Sequence, residues 1–201
     1  MKKLFLTVAA VLAIQLGCAA QSVTAHAGIM GGCALDRVTG VNSKSLCSWH
    51  AGATVLVNIP AYFSIQPSVR YNQFNSYVNL DSGNVTTMRL NQLNIPVAVQ
   101  WGPDLGVFRP FVQVVPYATF NLNADYMDPS RANEWQGAVD YIKRAQFGIG
   151  LGAGLNIWRF QFSCRYNWDL GDWTQAVEGN PFRYANGFTR SITFSLSFFF
   201  N

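Results

Sequence analysis

The residues with which this chain could do chemistry are few: two histidines, four cysteines and a small set of arginines. Ser48 and His50 stand two residues apart. With Asp36 or Glu178 as orienting acid they would make the hydroxyl, imidazole and carboxylate set of a lipid-modifying hydrolase. That spacing also arises by accident in any strand, and the third member is unspecified. The plainer reading makes His50 a solvated interface residue.

Cys33, Cys47 and Cys164 remain once a leader carrying Cys18 is set aside. An oxidising exported location permits a bridge. Cys33 and Cys47 flank one expected loop and are the candidate pair, with three separate thiols as the alternative. His26 and His50 are too few and too far from the cysteines for a zinc site. No metal and no cofactor is expected.

The elements that must position these groups are read from hydrophobic patterning. Residues 1–20 carry Lys2 and Lys3, an apolar run from Leu4 to Leu16, and Cys18-Ala19-Ala20 ahead of Gln21. This is the form of a secretory signal peptide, leaving 21–201 as one mature domain. Gln15-Leu16-Gly17 is a poor lipobox, so Cys18 is expected to leave with the leader. Loss of two lysines lowers Lys+Arg from 14 to 12 against 10 Asp+Glu. A mature charge of about +2 gives no basis for nucleic acid as a partner.

Half of the residues are hydrophobic, yet beyond the leader no uncharged apolar run reaches the roughly 18 to 20 residues of a spanning helix. Alternation takes its place. Phe160, Phe162, Cys164, Tyr166 and Trp168 alternate with Gln161, Ser163, Arg165 and Asn167. Ile192, Phe194, Leu196 and Phe198 alternate with Ser191, Thr193, Ser195 and Ser197. A period of two marks a strand with one oily and one polar face. Between Phe147 and Ile157 the polar positions are taken by Gly148, Gly150, Gly152 and Gly154, which would leave room inside a narrow barrel.

The same rule predicts strands over 24–33, 49–59, 62–72, 88–101, 108–122, 147–157, 159–170 and the last residues. The fold class is all-β, an eight-stranded antiparallel up-and-down transmembrane β-barrel. Its connections, 34–48, 60–61, 73–87, 102–107, 123–141, 158–159 and 171–187, alternate long and short. Outward loops and inward turns of a membrane barrel do this.

The polar face holds Gln66, Arg70, Gln100, Gln113, Gln161, Arg165 and Asn167, with lysine almost absent from the strands. A water-facing exterior would carry Lys and Glu. The polar face is therefore expected to line the lumen, with Arg70, Gln66, Gln113, Gln161, Arg165 and Asn167 as a polar network and Arg190 as a further candidate. Buried charge must find a carboxylate, a carbonyl, water or a bound anion. Tyr62, Tyr71, Trp101, Trp158, Trp168 and Trp173 lie at expected strand ends, where an interfacial aromatic girdle belongs.

Four motifs occur in order: Leu93-Asn94-Ile95-Pro96-Val97-Ala98-Val99; Arg109-Pro110-Phe111-Val112 with Pro116-Tyr117; Gly148-Ile149-Gly150-Leu151-Gly152-Ala153-Gly154; and Arg165-Tyr166-Asn167. In that order the chain resembles the PorT-like, porin-family outer-membrane barrels of Bacteroidota over most of its mature length. The resemblance implies the fold, the outer-membrane location and recognition by the barrel-assembly machinery, and no single activity. Family members end on an aromatic residue, whereas Asn201 here follows Phe198-Phe199-Phe200. The acidic residue that often precedes the glycine-rich strand is absent from Ala145-Gln146-Phe147.

The expected function is non-enzymatic: a structural or surface-interaction barrel in outer-membrane lipid, meeting an extracellular or protein partner through its long loops. A narrow channel for small solutes or ions and an accessory role in protein secretion are the alternatives.

Overall fold

The structure, a computed structural model, describes residues 23–38, 46–60, 62–79, 85–128, 134–137, 142–171 and 189–200. Nine strands are found among them: β1 Thr24–Val38, β2 Leu46–Ile59, β3 Phe63–Asn79, β4 Val85–Trp101, β5 Phe108–Asp128, β6 Glu134–Gly137, β7 Ala145–Ile157, β8 Phe160–Asp169 and β9 Thr189–Phe199. The neighbour order is β4-β3-β2-β1-β9-β8-β7-β5, and pairing of β4 with β5 closes the ring. Strands adjacent in the ring are adjacent in sequence apart from the β1–β9 seam, where Gly28 lies opposite Phe199, and β6, which pairs only with the far end of β5. This is a closed eight-stranded antiparallel barrel with one short hairpin strand added.

The strands outrun the sequence expectation on the loop side. β1 continues to Val38, β3 to Asn79 and β5 to Asp128, and β4 begins at Val85. The connections are thus shorter than the expected 34–48, 73–87 and 123–141. A tilted spanning strand needs only about 9–11 residues, and beyond the bilayer both faces meet water. The oily and polar contrast fades there while backbone pairing continues.

The barrel is inside out. Phe162 and Leu151 are 50% and 48% exposed, whereas Arg165 and Gln161 on the opposite face are 6% and 2% exposed. One irregularity matters for β5: Asn91 pairs with Asn123 and Gln92 with Asn121, so Leu122 is an extra residue. Such a bulge switches the parity of the inward positions. Thr119 is buried before it and Ala124 after it.

The glycines of β7 are the recesses of the lumen. A Cβ on Gly148 would meet the Tyr117 ring, one on Gly150 the stem of Arg165, and one on Gly154 the Phe111 ring. Large side chains from the neighbouring strands therefore lie across the β7 wall.

At the turn end one side chain ties two connections together. The Arg109 guanidinium donates to the Gly102 carbonyl at 3.0 Å, the Tyr62 carbonyl at 2.9 Å and Ser64 Oγ at 2.8 Å. Tyr62 has φ 67°, a left-handed conformation that costs a non-glycine residue about 1 kcal/mol or more unless its surroundings hold it. Arg109→Ala is expected to destabilise the barrel by about 1–3 kcal/mol through these lost charge-assisted bonds. Urea unfolding from phospholipid vesicles measures it, and an unchanged midpoint would show that the turns hold themselves.

Candidate functional site

Alternation places the polar groups of eight strands in one lumen, and their chemistry divides it into levels. The middle level is a glutamine layer. Gln66 Nε2 donates to Thr54 Oγ1 at 3.0 Å, Gln100 Nε2 donates to Gln66 Oε1, and the Thr54 and Ser68 hydroxyls lie 2.8 Å apart. Gln113 and Gln161 are buried in the same region. Gln66, Ser68, Gln113, Gln161 and Arg165 line a void of about 10 Å³, on the order of one water.

On the loop side of that layer is a cavity of about 70 Å³ lined by Asp36, Ser48, His50, Arg70, Asn94, Tyr117 and Asn167 among others. On the turn side a wider pocket of about 510 Å³ opens past Arg109, Arg159 and Phe199.

All six residues expected to form a lumenal polar network, Arg70, Gln66, Gln113, Gln161, Arg165 and Asn167, are buried. The structure sorts them into separate clusters. Gln66 belongs to the glutamine layer. Arg70 Nε donates to Asn94 Oδ1 at 2.9 Å, and Asn94 Nδ2 passes the chain to Thr119 Oγ1. Asn167 Nδ2 donates to Ser191 and Thr193 hydroxyls, each at 2.9 Å. Arg190 is not lumenal: it pairs opposite Trp168 on β8 and is exposed, sharing the outward parity of Ile192 and Phe194.

Sequence reasoning missed several members. Tyr117 Oη donates to Asp169 Oδ1 at 2.7 Å across the β7 wall. Its inward aim was legible only from parity, since it shares the face of Gln113 and Thr119. Asn94 breaks an apolar run, which is a usable signal, and Asp36 is buried although its segment is expected to be loop.

The hydrolytic set is arranged wrongly for catalysis. Ser48 Oγ accepts from the Asn75 amide at 3.1 Å rather than bonding to His50. His50 is not a solvated interface residue either: it is buried, and its Nε2 lies 3.0 Å from Ser195 Oγ on β9. The charges that act on His50 are the guanidiniums of Arg70 and Arg165, where an orienting carboxylate would be needed. Glu178 lies outside the described residues.

Cys33 and Cys47 are free thiols, as is Cys164. Cys33 lies opposite Trp49 and Cys47 opposite Leu35, so the pair is diagonal on the outer face. Across that diagonal the Cys33 side chain is among the groups that act on the Cys47 thiol.

The aromatic residues fall at two heights. Tyr62, Trp101 and Trp158 are exposed at the turn end. Trp49 and Tyr71, with ring centroids 5.6 Å apart, and Trp168, 4.6 Å from Tyr166, lie toward the loop end. Tyr62 and Tyr71 are nine residues apart, about 30 Å of strand. At a tilt of about 40° that spans roughly 23 Å, close to the height of a barrel's apolar band. Trp173 and the leader, residues 1–20, lie outside the described residues.

A closed barrel with an oily exterior, a hydrogen-bonded polar interior and aromatic rings at both rims is a transmembrane β-barrel. The chain belongs to the outer membrane protein beta-barrel domain family, whose model matches residues 20–175, and it is a protein of the bacterial outer membrane. Among solved structures it is similar to Neisserial surface protein A, with 10% identity, 89% of this chain and 99% of that chain covered, and a TM-score of 0.51. It is also similar to Ail of Yersinia pestis in complex with the heparin analogue sucrose octasulfate, with 9% identity, 88% and 99% covered, TM-score 0.46. A third is the N-terminal beta-barrel domain of Pseudomonas aeruginosa OprF, with 10% identity, 88% and 100% covered, TM-score 0.43. At these identities the likeness is one of fold. No curated protein matches the chain.

Proposed function

We propose that this barrel is neither an enzyme nor a conducting pore, and that it acts as a structural and surface-interaction protein through its loop end. The glutamine layer carries the reading. Gln66 and Gln161 are 5% and 2% exposed, and the roughly 10 Å³ void that both line admits no hydrated solute. The barrel's exits are thus its outer wall and its rims. On the loop side, β5 and β6 extend the sheet past the membrane, and Arg89 stacks over the exposed Trp135 ring with 5.0 Å to its centroid. An aromatic braced by a cation on a projecting ribbon is a fitting contact for a protein or extracellular partner.

Refolded into planar bilayers, the protein is expected to show no reproducible unitary conductance. Stable openings in single-channel recording would transfer the assignment to the narrow-channel reading. Within the family, the order of the four motifs supports a PorT-like member from Bacteroidota, reached by signal-peptide export and the barrel-assembly machinery, and with it the accessory secretion role. The pairing of Ser48 with the Asn75 amide and of His50 with Ser195 supports the non-enzymatic part of the proposal.

A further inference from the structure

Arg190 heads an apolar column. On the outer wall of β9 it precedes Ile192, Phe194 and Leu196, and it is exposed beside Trp168 of β8. Trp168 meets Tyr166 edge to face with ring centroids 4.6 Å apart, so the guanidinium stands at the loop-side aromatic rim. A cation at that height lies among lipid headgroups.

Toward the middle of the bilayer the same wall is hollow. A groove of about 490 Å³ crosses β1, β9, β8 and β7, lined by Gly31, Cys33, Leu155, Phe162, Cys164 and Phe194 among others. The register fixes its height: Gly31 and Phe162 both pair with Leu196, and Cys33 and Cys164 both pair with Phe194. Gly31 deepens the groove without serving the interior. A Cβ on Gly28, Gly32 or Gly52 would collide with a backbone carbonyl, whereas one on Gly31 would meet only the His50 carbonyl, at 3.5 Å. A strand glycine that its own interior does not require marks a close approach from outside.

Arg190 and Leu196 are six residues apart, about 20 Å of strand. At a tilt of about 40° that is roughly 15 Å of depth, half of a hydrocarbon core about 30 Å thick. The cation and the groove are thus one leaflet apart.

We propose that the outer wall of β8 and β9 seats one anionic lipid of the loop-side leaflet, with its phosphate at Arg190 and one acyl chain running past Tyr166 and Ile192 into the groove. The groove is continuous with the wall that meets hydrocarbon, and the charge on this column is positive, which together select a lipid with a negative head. A second barrel docked here about a two-fold axis along the membrane normal would instead bring two Arg190 side chains to one height.

The test is native mass spectrometry of the full chain released from vesicles holding equal amounts of phosphatidylglycerol and phosphatidylcholine. One phosphatidylglycerol is expected to stay bound, ahead of phosphatidylcholine. Arg190→Gln should lower its retention by about fivefold and leave phosphatidylcholine unchanged. Gly31→Leu fills the groove and should release both lipids. Lys143→Gln removes an exposed cation six residues loopward of the Ile149 and Trp168 level and should change neither. Equal retention of the two lipids, or undiminished phosphatidylglycerol in Arg190→Gln, overturns the headgroup contact. Undiminished retention in Gly31→Leu overturns the groove as its seat. A lipid-free dimer that Gly31→Leu separates overturns the lipid in favour of a second copy. The wild-type competition between the two lipids stands even if a variant fails to fold.

Discussion

Phe194→Arg is expected to cost the barrel about 2–4 kcal/mol, the range for a cation on the lipid face at the bilayer midplane. Phe194 lies opposite Cys33 on β1 and Cys164 on β8, and its 45% exposed ring points out of the barrel. It is midway along β9 between the Trp168 level and the Phe160 level. There a guanidinium has neither water nor a partner. Leu170→Arg supplies the contrast: Leu170 is 68% exposed just beyond β8 on the loop side, where the expected cost falls to about 0–1 kcal/mol. Urea titration of vesicle-embedded protein measures both. Equal costs at the two depths would mean that the outer wall does not meet hydrocarbon.

Gly148→Leu should be comparably damaging from the other side of the wall, at about 3 kcal/mol. A Cβ on Gly148 would lie 2.1 Å from Tyr117 Cζ and 2.3 Å from its hydroxyl. Any side chain there evicts the ring and breaks its bond to Asp169. Because the obstacle is a side chain, adding Tyr117→Ala should recover part of the loss, so the two changes are not additive. Gly154→Leu should resist the same rescue by Phe111→Ala, since the Phe162 backbone carbonyl lies 2.3 Å from its Cβ. Unfolding midpoints of the four variants decide it, and additive losses at Gly148 and Tyr117 would show that the two positions do not share space.

Inward and outward faces were legible residue by residue where the strands cross the membrane. Phe160, Phe162 and Cys164 against Gln161, Ser163 and Arg165 required only parity, because each face of such a strand meets one medium along its whole span. The glycines of β7 were legible as recesses for the same reason. Loop-side strand ends were not, since water on both faces removes the contrast: residues 34–38 and 73–79 read as connection and are strand. The parity switch at Leu122 was hidden as well, a local insertion that only the β4 register reveals.

Which lumenal groups touch was decided by closure. His50 meets Ser195 across 145 residues of sequence, and Tyr117 meets Asp169 across 52. Arg70 faces Arg165 because β3 and β8 are opposite staves of an eight-membered ring. The chain by itself determined that these side chains point inward, through a two-residue period set by the medium on each face. Only the tertiary structure decided their neighbours, because height and angle inside a barrel depend on the accumulated stagger of every strand pair around the ring.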